Sequence, residues 1–393
     1  MLIKDIFLSV LGRSTQRRAI AFQERQRNRL SPSPMGVEFP TSLDTTRLIV
    51  LTDAKDLKGR AAFLEGLGGE ILFDLPNVEQ ETDYVVCFGY SDFLRNVGTL
   101  EKSGWKKVLL LEAGFLRSVL MDGSASRYDQ AICFFVDNYG FHYDPTFPSQ
   151  LEDMANHPDL EILPHELERA AKLRDKIIYE KLTKYNDQSM DNVLPDDGRA
   201  RVLVVEQARN DWAIRKSRGG RKSFERMVDC ALSENPDAEI VLKVHPDSLN
   251  GKRGGLEKSY FGRHRDEGRI RVVREKINPL VLMERTSKVY VFSSMLGFEA
   301  ALMNNEVHLF GQPSYGGWGF TVDRSKFARR TRNLSLLEYF YLVYFRYQKY
   351  IGTDGKPCEP EDAVEALIAL RDEYHAETQS HISTGAGMSV AQR

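Results

Sequence analysis

Asp211, Lys243, His245 and the pair Ser293-Ser294 follow three apolar runs, and together these residue types suit an activated phosphate. VLVVEQARND ends in Asn210-Asp211, a carboxylate at a strand end that either faces a ligand or simply caps a turn. AEIVLKVHPD places Lys243 two residues before His245, on one face of a strand, where cation and imidazole favour an anion. SSMLGFEAAL opens with two hydroxyls that can cap a helix, and such an N-terminus also attracts phosphate. Glu299, one turn further on, suits ribose hydroxyls, or else faces solvent. FGQPSYGGWGFTVDR (310–324) sets Gln312, Tyr315 and Trp318 among four glycines, for core packing or for a loop over a ligand. KKVLLLEAGFLRSV (106–119) closes with Glu112 and Arg117. That pair suits a sugar acid, Glu for proton transfer and Arg for the carboxylate, unless the two residues pair with each other.

Those residues need a scaffold. Apolar runs at 47–53, 70–76, 83–90, 106–114 and 131–137 alternate with helical patterns such as 54–69 and 91–105. Val/Ile/Leu-rich runs between helices predict a parallel sheet covered on both faces. A charged helical stretch (165–186) and a polar stretch (186–200) that reads as a linker come next. The pattern restarts at 201–207, 238–247, 269–275, 287–294 and 306–313, so a second parallel sheet is expected. In open α/β sheets ligands bind at the carboxyl ends of strands, where Asp211, His245, the serine pair and Gln312 all fall. Long helices are expected at 334–351 and 361–375, packing across the lobes, with a disordered tail at 379–393. The predicted boundaries are a basic amphipathic segment at 1–45, a first Rossmann-like lobe with its linking helix at 46–190, a second at 200–330, and C-terminal helices at 331–378.

At 393 residues the chain is long enough for two cores; 42% hydrophobic and 28% charged residues with a net charge of -2 describe a globular chain. Near-neutral charge and a pI of about 6.5 argue against a nucleic-acid protein. No apolar run approaches the roughly 20 residues of a membrane helix, no signal-peptide pattern is evident, and the four cysteines are scattered. A cytoplasmic chain with reduced thiols is expected. In the first thirty residues Lys4, Arg13, Arg17, Arg18, Arg25, Arg27 and Arg29 outnumber Asp5 and Glu24. Behind the apolar IKDIFLSVLG, this segment suits an anionic inner-membrane surface or another protein, or forms a docked helix. No DxD or His/Cys cluster is evident, so no metal and no cofactor is expected.

LEAGFLRS, VLVVEQARND, KVHPD, SSMLGFEAAL and FGQPSYGGWGFTVDR, in this order and spacing, resemble the bacterial capsule-polysaccharide and O-antigen β-Kdo transferases; Kdo is 3-deoxy-D-manno-oct-2-ulosonic acid. FHYDPTFPSQLE (141–152) resembles that family's lobe-linking segment, and the likeness covers roughly 84–325. The resemblance implies a two-lobed GT-B-type fold and transfer of Kdo from CMP-Kdo with retention of the β configuration. It implies that Asp211 is the nucleophile, that Glu112 is the general base, and that His245 assists catalysis. Gln207, Asn210, Lys243, His245, Ser293, Ser294, Glu299, Gln312, Tyr315 and Arg117 would bind the donor, and a glycan or lipid-linked saccharide would be the acceptor. One position departs: Ala113 stands where the family usually has aspartate, leaving Glu112 as the expected functional carboxylate. An inverting CMP-sialic-acid-type transferase and a non-catalytic nucleotide-sugar-binding module remain as alternatives.

Overall fold

The computed structural model describes residues 2–30, 32–35, 47–50, 70–72, 83–104, 107–120, 126–208, 211–245, 248 and 268–383. The chain divides into two units. The first is Met1–Phe141, Phe147–Leu160 and Leu342–Arg393; the second is His142–Thr146 and Glu161–Tyr341.

The first unit is built on strands β1 (Arg47–Val50), β2 (Glu70–Leu72), β3 (Asp83–Phe88), β4 (Val108–Ala113), β5 (Cys133–Asp137), β12 (Gln348–Ile351) and β13 (Pro357–Cys358), in the order β13-β12-β5-β4-β3-β1-β2. Strands β1 to β4 pair in parallel. Leu48, Val50, Val86, Phe88, Leu109 and Leu111 share one buried face, while Val85, Cys87 and Leu110 fill the other. That two-sided burial is why these strands read as unbroken apolar runs. Helix α2 (Gly89–Ser103) crosses from β3 to β4, and helix α1 (Leu2–Leu30) docks on it through Phe22 and Phe93. Arg27 forks onto Asp153 and Arg25 meets Glu101, so part of the basic N-terminal segment is bound to the protein's own carboxylates.

The expectation of an all-parallel first sheet fails at β5, which runs antiparallel to β4. No α-helix is described between Ala113 and Cys133, so β5 arrives without the crossover helix usual in a parallel βαβ unit. The long helix expected at 334–351 is corrected as well. It is an α-helix, α9 (Leu336–Tyr341), a π-helical turn (Leu342–Tyr347), and then β12, which adds to β5. An aromatic, β-branched run is helix-compatible alone, but the open edge of β5 captures its end.

The second unit holds β6 (Arg201–Val205), β7 (Glu239–Lys243), β8 (Ile270–Val273), β9 (Lys288–Val291), β10 (Glu306–Leu309) and β11 (Val322–Asp323), all parallel. Its order is β11-β10-β9-β6-β7-β8. Helix α6 (Arg221–Glu234) lays Phe224, Met227, Val228 and Ala231 against Val202, Val204, Ile240 and Leu242. Each such side chain contributes roughly 1.5–3 kcal/mol on burial. The linking helix α4 (Pro164–Tyr179), expected with the first lobe, clusters here because it packs on α9. The polar 186–200 stretch is no free linker. Ser189 N–H donates to Lys276 O, Asn278 N–H donates to Ser189 O, and Leu194 is buried. Helix α10 (Pro360–Ser383) extends past the expected helix end at 375, and the tail from 384 lies outside the described residues.

Candidate active site

Numbered within the second unit, the six strands stand in the order 3-2-1-4-5-6 read from β8 to β11, with β6 as strand 1 and β9 as strand 4. The order of connections reverses between β6 and β9, and ligands of such sheets sit in the crevice at that point. The segments leaving β6, β7 and β9 carry Gln207 and Asp211, Lys243 and His245, and Ser293 and Ser294.

Glu206 and Gln207 tie these segments together. Glu206, 1% exposed, donates its N–H to Lys243 O and accepts the His245 N–H on Oε2 at 3.0 Å. Gln207 Oε1 accepts the Ser293 N–H at 3.1 Å. One dipeptide thus fixes the ends of both neighbouring strands. Glu206 was not among the sequence candidates, although a charged residue directly after the apolar run Val202–Val205 was the available signal. Glu206→Ala removes the acceptor of the His245 N–H and is expected to cost about 1–3 kcal/mol in denaturant unfolding. A midpoint equal to wild type would refute that.

Asp211 is the N-cap of helix α5 (Trp212–Lys216), its Oδ1 accepting the Ala213 N–H at 2.8 Å. It is half-buried, and the cap occupies one oxygen. Asn210 lies outside the described residues. At the far end of α5, Ser217 Oγ stands 3.5 Å from Ser293 Oγ. Lys243 is buried at the end of β7 and donates to Glu275 O at 3.1 Å. Burial lowers its pKa to about 8, so the amine is still mainly cationic at neutral pH. Ser294 Oγ accepts the Leu296 N–H at 3.3 Å, at the start of helix α8 (Leu296–Leu302).

Glu299, on α8, does not face solvent. It is 6% exposed; Oε1 accepts the Thr183 hydroxyl at 2.8 Å, and Oε2 has no partner among the described residues. Burial raises its pKa to about 8, against smaller lowering by Thr183 and Lys184. The unfolded chain loses this proton near the ordinary glutamate value while the native state keeps it to about 8. Stability from this group is therefore fully present at low pH and falls as pH rises through that window. Glu299→Gln is expected to flatten the difference in melting temperature between pH 5 and pH 8, and an unchanged profile would contradict the burial argument.

The glycine-rich loop after β10 resolves towards packing. Trp318 and Tyr315 are each 1% exposed, Trp318 Nε1–H donates to Ser314 O at 2.8 Å, and Trp318 packs on Tyr339. The Tyr315 hydroxyl donates to Ser294 O, and a Cβ at Gly297 would collide with it. Tyr315 therefore shapes the serine turn from inside, and its ring is not presented to a ligand. Gln312 donates to Lys326 O at 2.5 Å, drawing the loop back on itself.

In the first unit Glu112 is the penultimate residue of β4. Its Oε1 accepts the Ala113 N–H at 3.1 Å, and a Cβ on Gly89, which has φ +73° at the start of α2, would lie 3.2 Å from Oε2. Glycine at 89 meets both the backbone angle and the close approach. A Cβ at Gly114 would strike Cys133 Sγ and Gln348 Oε1, and Gln348 Oε1 accepts the Phe115 N–H at 2.8 Å. The Arg117 side chain is 12% exposed. It binds Asp129 Oδ1 at 2.7 Å, Ser118 Oγ at 2.6 Å and Leu120 O at 3.0 Å, which braces the turn after Glu112.

Residues 83–350 match the family described as "Capsule polysaccharide biosynthesis protein". The chain belongs to that family. "Capsule polysaccharide modification protein LipA" of Neisseria meningitidis serogroup B is 36% identical over 306 residues, covering 74% of this chain and 42% of that protein. "Lipopolysaccharide-processing protein LpsZ" of Rhizobium meliloti is 34% identical over 279 residues, covering 70% and 61%. The chain thus spans between about two fifths and three fifths of the length of these relatives. Among solved structures, Thermosulfurimonas dismutans KpsC, described as a beta Kdo 2,4 transferase, superposes with a TM-score of 0.72 at 31% identity, covering 83% of this chain and 98% of that one. A KpsC chain of the same organism described as a beta Kdo 2,7 transferase shares the fold, with a TM-score of 0.58 at 22% identity. The family member described here therefore has the expected GT-B-like α/β class, with one mixed and one parallel sheet.

Proposed function

We propose that this chain is a retaining glycosyltransferase that moves Kdo from CMP-Kdo to a glycan or lipid-linked saccharide in capsule or lipopolysaccharide assembly. The observation that carries the reading is the tying of His245 and Ser293 to Glu206 and Gln207 at the chain reversal of the second sheet, with Lys243 ending β7 and Asp211 on the segment that leaves β6. Similarity to a beta Kdo 2,4 transferase supports the choice of sugar.

Retention needs two inversions. A carboxylate oxygen of Asp211 forms a bond to the anomeric carbon as the bond to the CMP phosphate breaks, and CMP departs with the electron pair. Lys243 and the donors around His245 and Ser293 stabilise the phosphate charge that develops. The acceptor hydroxyl then attacks the same carbon, Glu112 takes its proton, and Asp211 leaves as carboxylate. Gln207, Ser294 and Glu299 complete the donor side, Glu299 once its buried carboxylate becomes accessible to the nucleoside. Asn210 and Gln312 are assigned to the donor by resemblance alone. Arg117 and Tyr315 enter as supports of Glu112 and Ser294. No helix among the described residues is long and apolar enough to cross a membrane, and α1 is the proposed contact with the inner membrane or an assembly partner.

Incubation with CMP-Kdo, read by intact-protein mass spectrometry and NMR of the product, tests the reading. One Kdo attached to the peptide carrying Asp211, and a β-configured product, are expected. An α-configured product with no adduct would overturn retention.

A further inference from the structure

The backbone leaves the first unit after Phe141 and rejoins it at Phe147, and the five residues between, His142–Thr146, cluster with the second unit. Asp144 is at the centre of this excursion. Its Oδ2 meets Lys216 Nζ at 2.7 Å, with 1% and 9% of the two side chains exposed. Its Oδ1 accepts the Thr146 N–H at 2.9 Å and the Thr146 hydroxyl at 2.6 Å, so the carboxylate is locked within its own turn. His142 is buried on one side, and Pro145 O accepts Arg329 NH1 at 2.8 Å on the other.

A buried ion pair is a poor way to gain stability, because desolvating both charges consumes most of the attraction; fixing geometry is the better-supported use. Lys216 is the last residue of α5 and Asp211 is its cap, about 7.5 Å apart along the axis. A helix this short is not held in place by its own hydrogen bonds. What grips its ends sets where its cap carboxylate stands.

We propose that Asp144 is a positioning residue for Asp211, holding α5 through Lys216 so that the cap carboxylate at the other end of the helix keeps its place. The role given to Asp211 is the one in the preceding section. Ser217, the residue after Lys216, approaches Ser293, so the grip on Lys216 also governs the register between α5 and the phosphate side.

The test compares Asp144→Asn, Lys216→Met and Lys216→Arg in the full chain. Asp144→Asn and Lys216→Met are expected to lower kcat about 30- to 100-fold and to change the KM for CMP-Kdo less than about 3-fold. Lys216→Arg, which keeps the ion pair, is expected to restore kcat to within about 5-fold of wild type. Hydrogen exchange provides an arm independent of sugar chemistry: amides of α5, Ala213 included, lose protection in Asp144→Asn while those of β6 and β9 do not. Should Asp144→Asn fail to fold, the double variant Asp144→Asn/Lys216→Met, with no lone buried charge, carries the same comparison. An unchanged kcat, an equal loss in KM, or evenly reduced protection would overturn the proposal. Were the wild type to transfer no Kdo, the proposed function fails, whereas local loss of protection in α5 would still support the grip of Asp144 and unaltered protection would refute it.

Discussion

Asp211→Asn is expected to bind CMP as the wild type does and to lose transfer by at least about three orders of magnitude. The substitution is isosteric, and asparagine caps helices as well as aspartate, so the bond from Ala213 N–H to Oδ1 survives and α5 keeps its start. On the proposed reading CMP binding draws on Lys243, His245 and the Ser293 turn, none of which the change touches. What disappears is the nucleophile, since a carboxamide oxygen does not form a stable ester with the anomeric carbon. Calorimetry with CMP beside a turnover assay with CMP-Kdo separates the two effects. Normal turnover would remove Asp211 from the chemistry, and loss of CMP affinity would make it a binding residue.

Glu112→Gln should fail later in the cycle. The first half-reaction consumes donor and needs no base for the acceptor, so the sugar still reaches Asp211. Without a proton acceptor the second half slows by about two to three orders of magnitude, within the usual contribution of general-base catalysis. With acceptor present, protein one Kdo heavier is then expected to accumulate well above the wild-type level. The Ala113 N–H keeps its acceptor in the glutamine, so the turn beside Gly89 is retained. A variant that neither transfers nor accumulates adduct would assign Glu112 to the first step.

The places of the candidate residues along their strands were legible in the residue order because they are local. A buried parallel strand is a short apolar run, and the residue after it is at the carboxyl edge whatever the rest of the fold does. Asp211, Lys243, His245 and the serine pair are all placed by that rule. What sequence could not show is pairing at long range. The Phe115 N–H finds its acceptor at Gln348, 233 residues away. Glu299 is held by Thr183, and Arg117 by Asp129. Each of these partners is polar and unremarkable in sequence, and becomes informative only once burial removes water as the competing partner. The aromatic loop shows the reverse problem. Tyr315 and Trp318 were visible as unusual, yet composition does not say whether a ring among glycines faces a ligand or the core.

The interrupted first unit has a consequence for the nascent chain. Strands β12 and β13 come from residues 348–358, after every strand of the second unit. During synthesis β5 must emerge with an unpaired border, beside the turn that carries Glu112, and wait while the whole second sheet is made. An open border of this kind is a template for misassociation. Ribosome-bound chains halted before Gln348 are expected to be protease-sensitive around Glu112, and the sensitivity should vanish once Cys358 has cleared the exit tunnel.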